Sequence, residues 1–150
     1  MEIKKATEKD IEESIKIASN LKDWFTGDAI VNMVVDFNLN NVIVVKEEEK
    51  VIGFLCYTSF SGKMLLMWMG VDTSGQRKGI GQSLLKWLEE ESRKIGLSSI
   101  EVETLTDKDN YEPYKLTREF YYKNGFEKVG YKKSRIEGWD DQIILEKKLI

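Results

Sequence analysis

The stretch Val71-Asp72-Thr73-Ser74-Gly75-Gln76-Arg77-Lys78-Gly79-Ile80-Gly81-Gln82-Ser83-Leu84-Leu85, or VDTSGQRKGIGQSLL, joins an apolar run to an amphipathic one. It holds three glycines and two adjacent basic residues just where a helix should begin. A phosphate-binding loop of the GxxxxGK[ST] type needs another spacing, and so does the dinucleotide fingerprint GxGxxG. Upstream, Met64-Leu65-Leu66-Met67-Trp68-Met69-Gly70-Val71 is apolar on both faces, as in a central strand covered from both sides. Downstream, Leu84, Leu85, Leu88 and Ile95 form a helical stripe, with Gly96 as its stop. A strand that delivers a glycine-rich turn to a helix N-terminus creates an anion site. The first helical N–H groups have no internal partners there, and the helix dipole adds partial positive charge. Glycines at 79 and 81 let a phosphate approach the backbone, Arg77 and Lys78 add charge at the rim, and a diphosphate is the natural guest. The alternative is an ordinary tight strand-to-helix turn.

Working outward, Ile3 to Ala6 reads as a strand. Thr7 and Asp10 open an amphipathic helix over roughly 8–20, with Ile11, Ile15, Ala18 and Leu21 on one face. Trp24 and Phe25 fall in a loop. Thr26 or Asp28 caps a second helix carrying Ile30, Met33, Val34 and Phe37. Val42–Val45 and Val51–Tyr57 flank the acidic run Glu47-Glu48-Glu49 and read as a hairpin with a solvated turn. Ser99–Leu105 is a further strand, 106–113 a polar loop with the only proline, and Tyr114–Asn124 a helix closed by Gly125. Val129–Ile136 and Gln142–Leu149 read as the last two strands. The order β-α-α-β-β-β-α-β-α-β-β places the chain in the α/β or α+β class, with one mixed sheet.

Length and composition set limits. With 150 residues, 41% of them hydrophobic, one domain spanning 1–150 is expected. A net charge of −3 gives no bulk electrostatic case for nucleic acid. Cys56 is the only cysteine and reads as a core residue, so an internal disulfide and a four-cysteine zinc site are excluded; no metal is expected. The chain has no histidine, which removes Ser-His-Asp and Cys-His catalysis. A general base must then be a carboxylate, a tyrosine, a lysine, the N-terminus or water. No apolar run reaches the ~18 residues of a membrane span and no signal peptide opens the chain, so a cytoplasmic protein without a membrane partner is expected.

Gln76-x-x-Gly79-x-Gly81, directly after a strand and before a leucine-rich helix, resembles the acyl-CoA-binding signature Q/R-x-x-G-x-G/A of the GCN5-related N-acetyltransferase (GNAT) family. Phe120-Tyr121-Tyr122-Lys123-Asn124-Gly125-Phe126 is similar to that family's second signature, F-Y-x-x-x-G-F. The element order also fits along essentially the whole chain. The resemblance implies a central, mostly antiparallel mixed sheet flanked by helices on both faces. It implies acetyl-CoA as co-substrate, with amides from Gln76 through Arg77, Lys78, Gly79 and Ile80 to Gly81 around the pyrophosphate. Main-chain groups of Met69, Gly70 and Val71 would pair with the pantetheine arm.

For acyl transfer to an amine, carboxylates are the candidate bases. Glu101 and Glu103 share one side of their strand, and Glu103 lies nearer its C-terminal end, where open α/β sheets hold ligands. Glu103 is the expected base, acting through water; the other reading is a charged residue reaching solvent or an ion pair. Asp107 and Asp109 are lesser candidates. Tyr121 occupies the tyrosine position of the second signature, which implies a general acid near the coenzyme sulfur, and Tyr122 should point elsewhere. Two features depart from the family pattern. The pantetheine-contacting asparagine seven residues before that tyrosine is replaced by Tyr114, and the proline often found after the strand is absent. In the family the first two helices and last strands form the acceptor side, which makes Trp24, Phe25 and Trp139 candidate walls; aromatic walls with nearby acids suit a cationic amine. Trp68 is a further candidate wall for which packing is the favoured reading, and Trp87 reads as a packing residue. The expected activity is acetyl transfer to a primary amine of a small molecule or peptide by direct attack, the competing reading a non-catalytic acyl-CoA-binding domain. A homodimer accords with family habit.

Overall fold

The computed structural model describes residues 1–76, 78–106 and 110–149, so Arg77, Asp107 and Asp109 lie outside the described residues. Among the described residues the elements are β1 (Glu2–Lys5), α1 (Glu8–Asn20), α2 (Gly27–Leu39), β2 (Asn41–Glu47), β3 (Lys50–Phe60), β4 (Lys63–Val71), a 3-10 turn at Thr73–Gly75, α3 (Ile80–Lys94), β5 (Ser99–Leu105), α4 (Glu112–Lys123), β6 (Glu127–Lys132) and β7 (Gln142–Lys148). The chain is therefore an α+β protein whose element order is the one read from the sequence. It divides into two compact units, one of Met1–Thr58 with Leu66–Glu91, the other of Ser59–Leu65 with Ser92–Ile150.

In the first unit the strands order β1-β2-β3-β4, with β1–β2 and β2–β3 antiparallel. β3 is buried from Val51 to Tyr57 because helices cover both of its faces. Phe54 meets Phe37 edge-on at 5.5 Å, within a core that includes Ile17, Ala18, Leu21, Met33 and Val44. On the opposite face a side chain at Gly53 would come within 2.9 Å of Ile80 Cγ2 and 3.5 Å of Leu84 Cδ1, so α3 packs directly on the strand. Cys56 belongs to the first core, where burial, with Asp36 nearby, pushes its thiol up to about 12; it is inert at neutral pH. Trp87 packs against Tyr57 at 5.6 Å.

Thr7 and Asp10 close a reciprocal capping box on α1, and Thr26 Oγ1 accepts from Ala29 N–H at the start of α2. Asp10 also meets Lys46 Nζ at 2.9 Å. Burial alone would raise the Asp10 pKa. The Thr7 backbone N–H, together with Lys46 and the Thr7 side chain, outweighs it and holds the carboxyl below its usual value.

In the second unit the order is β5-β7-β6, both pairings antiparallel, with Ile100, Val102, Ile143 and Leu145 buried. Glu101 and Glu146 stand opposite each other across β5 and β7, a like-charge pair relieved by Lys63 Nζ at 3.2 Å from Glu146. β6 ends at Lys132, earlier than the expected Ile136. Beyond it, Ser134 N–H is captured by Asp141 Oδ1 at 2.8 Å and Ile136 N–H by Ser134 Oγ, so side chains replace the ladder. α4 starts at Glu112, two residues before the expected Tyr114. Pro113 sits in its first turn, where a missing N–H costs nothing.

Glu48 and Glu49 adopt φ of 51° and 68°, with Glu47 paired to Lys50, so the hairpin turn uses left-handed backbone without glycine. Replacing Glu48 by Asn and Glu49 by Gly together should stabilise the protein by about 1 kcal/mol and raise its melting temperature by roughly 2–4 °C. Separately, Lys46→Met removes the counter-ion of the buried Asp10 and should lower the denaturant midpoint at pH 7. Asp10 has a folded pKa below its unfolded value. Its contribution is therefore complete above the unfolded pKa of ~3.9 and disappears as pH falls through the folded one, and Asp10→Asn should flatten that part of the acid-stability curve.

Candidate functional site

The end of β4 and the turn into α3 carry the first group of candidate residues. Asp72 N–H donates to Ile52 O at 2.8 Å, which fastens the strand end to β3. Gly75 and Gln76 N–H both donate to Asp72 O, and Lys78 N–H reaches Gly75 O at 3.4 Å. The Gln76 side chain turns back, its Nε2 donating to Val71 O at 3.0 Å. Gln76 is thus a brace of the turn. Its own backbone N–H is occupied by Asp72 O at 3.1 Å.

α3 begins at Ile80, and Ser83 N–H is the first to close onto Gly79 O, at 3.0 Å, joined there by the Ser83 hydroxyl. The amides of Ile80, Gly81 and Gln82 precede that first bond and have no intrahelical acceptor. Gly79 has φ +77°, and a Cβ there would meet nothing within 4 Å. A left-handed glycine beside open space, followed by the first three amides of a 15-residue helix, for which no acceptor appears among the described residues, fits a diphosphate. Lys78 is exposed at the rim.

Gly70 has a different reason to be glycine. A Cβ there would fall 2.6 and 2.8 Å from ring carbons of Phe54, so the core itself forbids a side chain. Met69 and Val71 on either side are half-buried. A glycine inside an apolar strand was the legible signal of this close approach.

Trp24 and Phe25 follow α1, and the N–H groups of both donate to Leu21 O at 3.0 Å. Phe25 meets the Trp68 ring edge-on at 6.1 Å, and Trp68 Nε1 donates to Asp36 Oδ2 at 2.7 Å. Asp36 was missed in the sequence reading. The signal available was a single acid within Val34-Val35-Asp36-Phe37, an otherwise apolar run of α2.

The second unit holds the remaining candidates. Glu103 is exposed and both its oxygens lie 3.2 Å from Lys132 Nζ, so the ion-pair reading of this residue is realised in the structure. Tyr121 is buried, packed edge-on between Phe120 at 5.4 Å and Phe126 at 5.2 Å. Burial raises its phenol above the ordinary value, so it keeps its proton throughout the physiological range. Tyr122 points to solvent. Tyr114 packs edge-on with Tyr111 at 4.8 Å. Arg118, one helical turn before Tyr121, is buried and donates to Leu105 O at 3.3 Å and Thr106 O at 3.1 Å, tying α4 to the end of the strand that carries Glu103. Trp139 is 46% exposed in the segment between β6 and β7. Among the described residues no cluster of acids and cysteine is arranged to hold a metal ion, and no helix is long and apolar enough to cross a membrane.

The family model for the acetyltransferase (GNAT) domain matches residues 38–128. Among solved structures, the chain is similar to a protein described as a GNAT-family acetyltransferase from Desulfovibrio desulfuricans, at 22% identity and TM-score 0.85, covering 99% of each chain. It is similar to the ribosomal-protein-S18-alanine N-acetyltransferase of Escherichia coli, at 17% identity and TM-score 0.78, covering 99% of this chain and 93% of that one. An aminoglycoside 6'-N-acetyltransferase complexed with coenzyme A matches at 17% identity and TM-score 0.74, covering 100% and 98%. No curated protein sequence matches. At these identities the structural likeness shows the fold, and it extends over essentially the whole chain.

Gly79→Ala places a β-carbon on left-handed backbone and should cost about 1–2 kcal/mol, visible as a lower melting temperature. Since the Cβ itself meets open space, the fold should survive and the variant should remain soluble and cooperative in thermal unfolding.

Proposed function

The chain belongs to the GNAT family of acetyltransferases, and from that premise we propose that it transfers an acetyl group from acetyl-CoA to a primary amine of a small molecule or peptide, by direct attack in a ternary complex. The observation that carries this reading is the turn at Gly79-Ile80-Gly81, with its left-handed glycine beside open space at the head of a 15-residue helix. Two of the structural relatives are, by description, N-acetyltransferases with amine acceptors, an alanine and an aminoglycoside.

Acetyl-CoA, when bound, supplies the acetyl thioester. The amides of Ile80, Gly81 and Gln82 would hold its diphosphate, with Lys78 adding charge. Main-chain groups of Met69, Gly70 and Val71 would orient the acyl arm, and a backbone N–H of this segment would face the developing oxyanion. Gly70 permits no side chain, which keeps that segment of β4 fixed against Phe54.

The acceptor nitrogen must lose a proton before it attacks. At pH 7 only about 4 in 10,000 amines of pKa ~10.4 are neutral, which corresponds to roughly 4.6 kcal/mol. Glu103, through a water, is the group we assign to accept that proton. Its ion pair with Lys132 holds the carboxylate in place at an exposed position, where water is available. Tyr121 acts differently from a simple proton donor. Even an unperturbed phenol, at pKa ~10, would lose about 2 kcal/mol in giving its proton to a thiolate of pKa ~8.5, and burial widens the gap. Its hydroxyl therefore stabilises the leaving sulfur as a hydrogen-bond donor and retains its proton.

A second reading, an acyl-CoA-binding domain without turnover, draws on Glu103 being already paired. Thermal unfolding with acetyl-CoA, and with ATP and NAD as controls, tests the binding both readings share. At 100 times its dissociation constant the ligand should add about 2.7 kcal/mol, and no shift at millimolar acetyl-CoA would overturn both. Thiol release with an amine panel separates them. For the enzyme, Tyr121→Phe should lower kcat by about 10- to 100-fold, the loss of one hydrogen bond to a developing charge. Since its raised pKa keeps Tyr121 protonated, the wild-type rate should show no decline from phenol ionisation up to pH 10. Turnover unchanged in both Tyr121→Phe and Glu103→Gln would refute these catalytic assignments.

A further inference from the structure

Asp36 is an acid tied directly to an aromatic of the first unit. It lies on α2, half-buried, with Oδ2 accepting from Trp68 Nε1 at 2.7 Å. Among the described residues Oδ1 accepts no hydrogen bond. The carboxylate's field is felt locally, since it contributes to raising the Cys56 thiol. Trp68 in turn receives the edge of Phe25 at 6.1 Å, and Trp24, Phe25 and Trp68 are all half-buried at the margin of the core. A carboxylate with one open oxygen beside aromatic rings is a site for an organic cation. It offers a charge-assisted hydrogen bond within an apolar aromatic surround.

The position of this cluster gives it a role. Trp68 immediately precedes Met69, the first residue of the segment assigned above to the acyl arm, and residues along a strand rise by only about 3.4 Å each. An ammonium held by Asp36 cannot be the attacking nitrogen, because attack requires the neutral amine and the carboxylate favours the charged one. We propose that Asp36, framed by Trp68 and Phe25, binds a second, non-reacting ammonium of the acceptor, so that the acceptor is a diamine or polyamine with two basic nitrogens joined by an aliphatic spacer. This assignment rests on the proposed acetyltransferase reading, but the cation subsite itself can be tested without turnover.

The other reading of Asp36 is a plain structural tie between α2 and β4. Asp36→Asn distinguishes the two, because the amide oxygen still accepts from the indole while the charge is gone. Tryptophan emission would be followed as the full-length protein is titrated with 1,4-diaminobutane and, separately, with 1,4-butanediol. A saturable change is expected with the diamine and none with the diol. Asp36→Asn should weaken the diamine response by about tenfold or more, the loss of a charge-assisted contact. Trp68→Phe should remove most of the signal, which identifies the reporting ring. With acetyl-CoA present, kcat/KM for 1,4-diaminobutane should exceed that for n-butylamine in the wild type, and the ratio should collapse towards one in Asp36→Asn. Equal diamine binding by wild type and Asp36→Asn, an equal response to the diol, or no saturable response at all would overturn the proposal. An acetyl-CoA melting shift measured on the same samples reports separately on the family reading, so a failure of one is distinguishable from a failure of the other.

Discussion

Phe54 occupies the space that any side chain at Gly70 would need, and much of the first unit is arranged around that contact. The ring belongs to the core under α1 and α2, and meets Phe37 from α2. On the other face of the same strand, Gly53 lets Ile80 and Leu84 of α3 come equally close. β3 is therefore compressed between helices on both sides, and two glycines make this possible. The consequence is positional. β4 is seated against Phe54, Asp72 is bonded to Ile52, and the turn that follows has little freedom in where it delivers α3. A helix N-terminus binds an anion only if its amides are held in place, and the packing under Gly70 is what would hold the amides of Ile80, Gly81 and Gln82 for the proposed diphosphate.

The chemistry is constrained by a missing residue type. Without histidine, no side chain with an unperturbed pKa near neutrality is available for proton transfer. Glu103 is held at the surface by Lys132, and Tyr121 is held protonated by burial. Such an arrangement accords with a mechanism in which water carries the amine proton and the phenol only donates a hydrogen bond.

The order of elements was legible because the periodicities were clean. Ile11, Ile15, Ala18 and Leu21 mark α1, and Thr7 with Asp10 marks its start, so the observed helix runs Glu8–Asn20 as read. The alternation of Glu101 and Glu103 with Ile100 and Val102 likewise marks β5 as Ser99–Leu105. Boundaries failed where local side chains competed with the ladder. Ser134 and Asp141 cut β6 short, and Pro113 entered the first turn of α4 instead of preceding it. For the site, the glycine turn and the Phe120–Phe126 signature were visible as strings. Their reading depended on family resemblance as much as on physics.

The residue types and their spacing alone established the α+β class, the glycine turn at the head of α3, and a chemistry that must do without imidazole. These are local properties: period, cap and composition act within a few residues of the chain. Long-range packing and hydrogen bonding decided what each of these residues is for. Gln76 proved a brace because Val71 O lies within its reach, and Gly70 proved a packing necessity because Phe54, sixteen positions away, fills its place. Glu103 found Lys132 across twenty-nine positions, and Asp36 found Trp68 across thirty-two. Contacts of that separation depend on how strands and helices are laid side by side, and no periodicity along the chain encodes them.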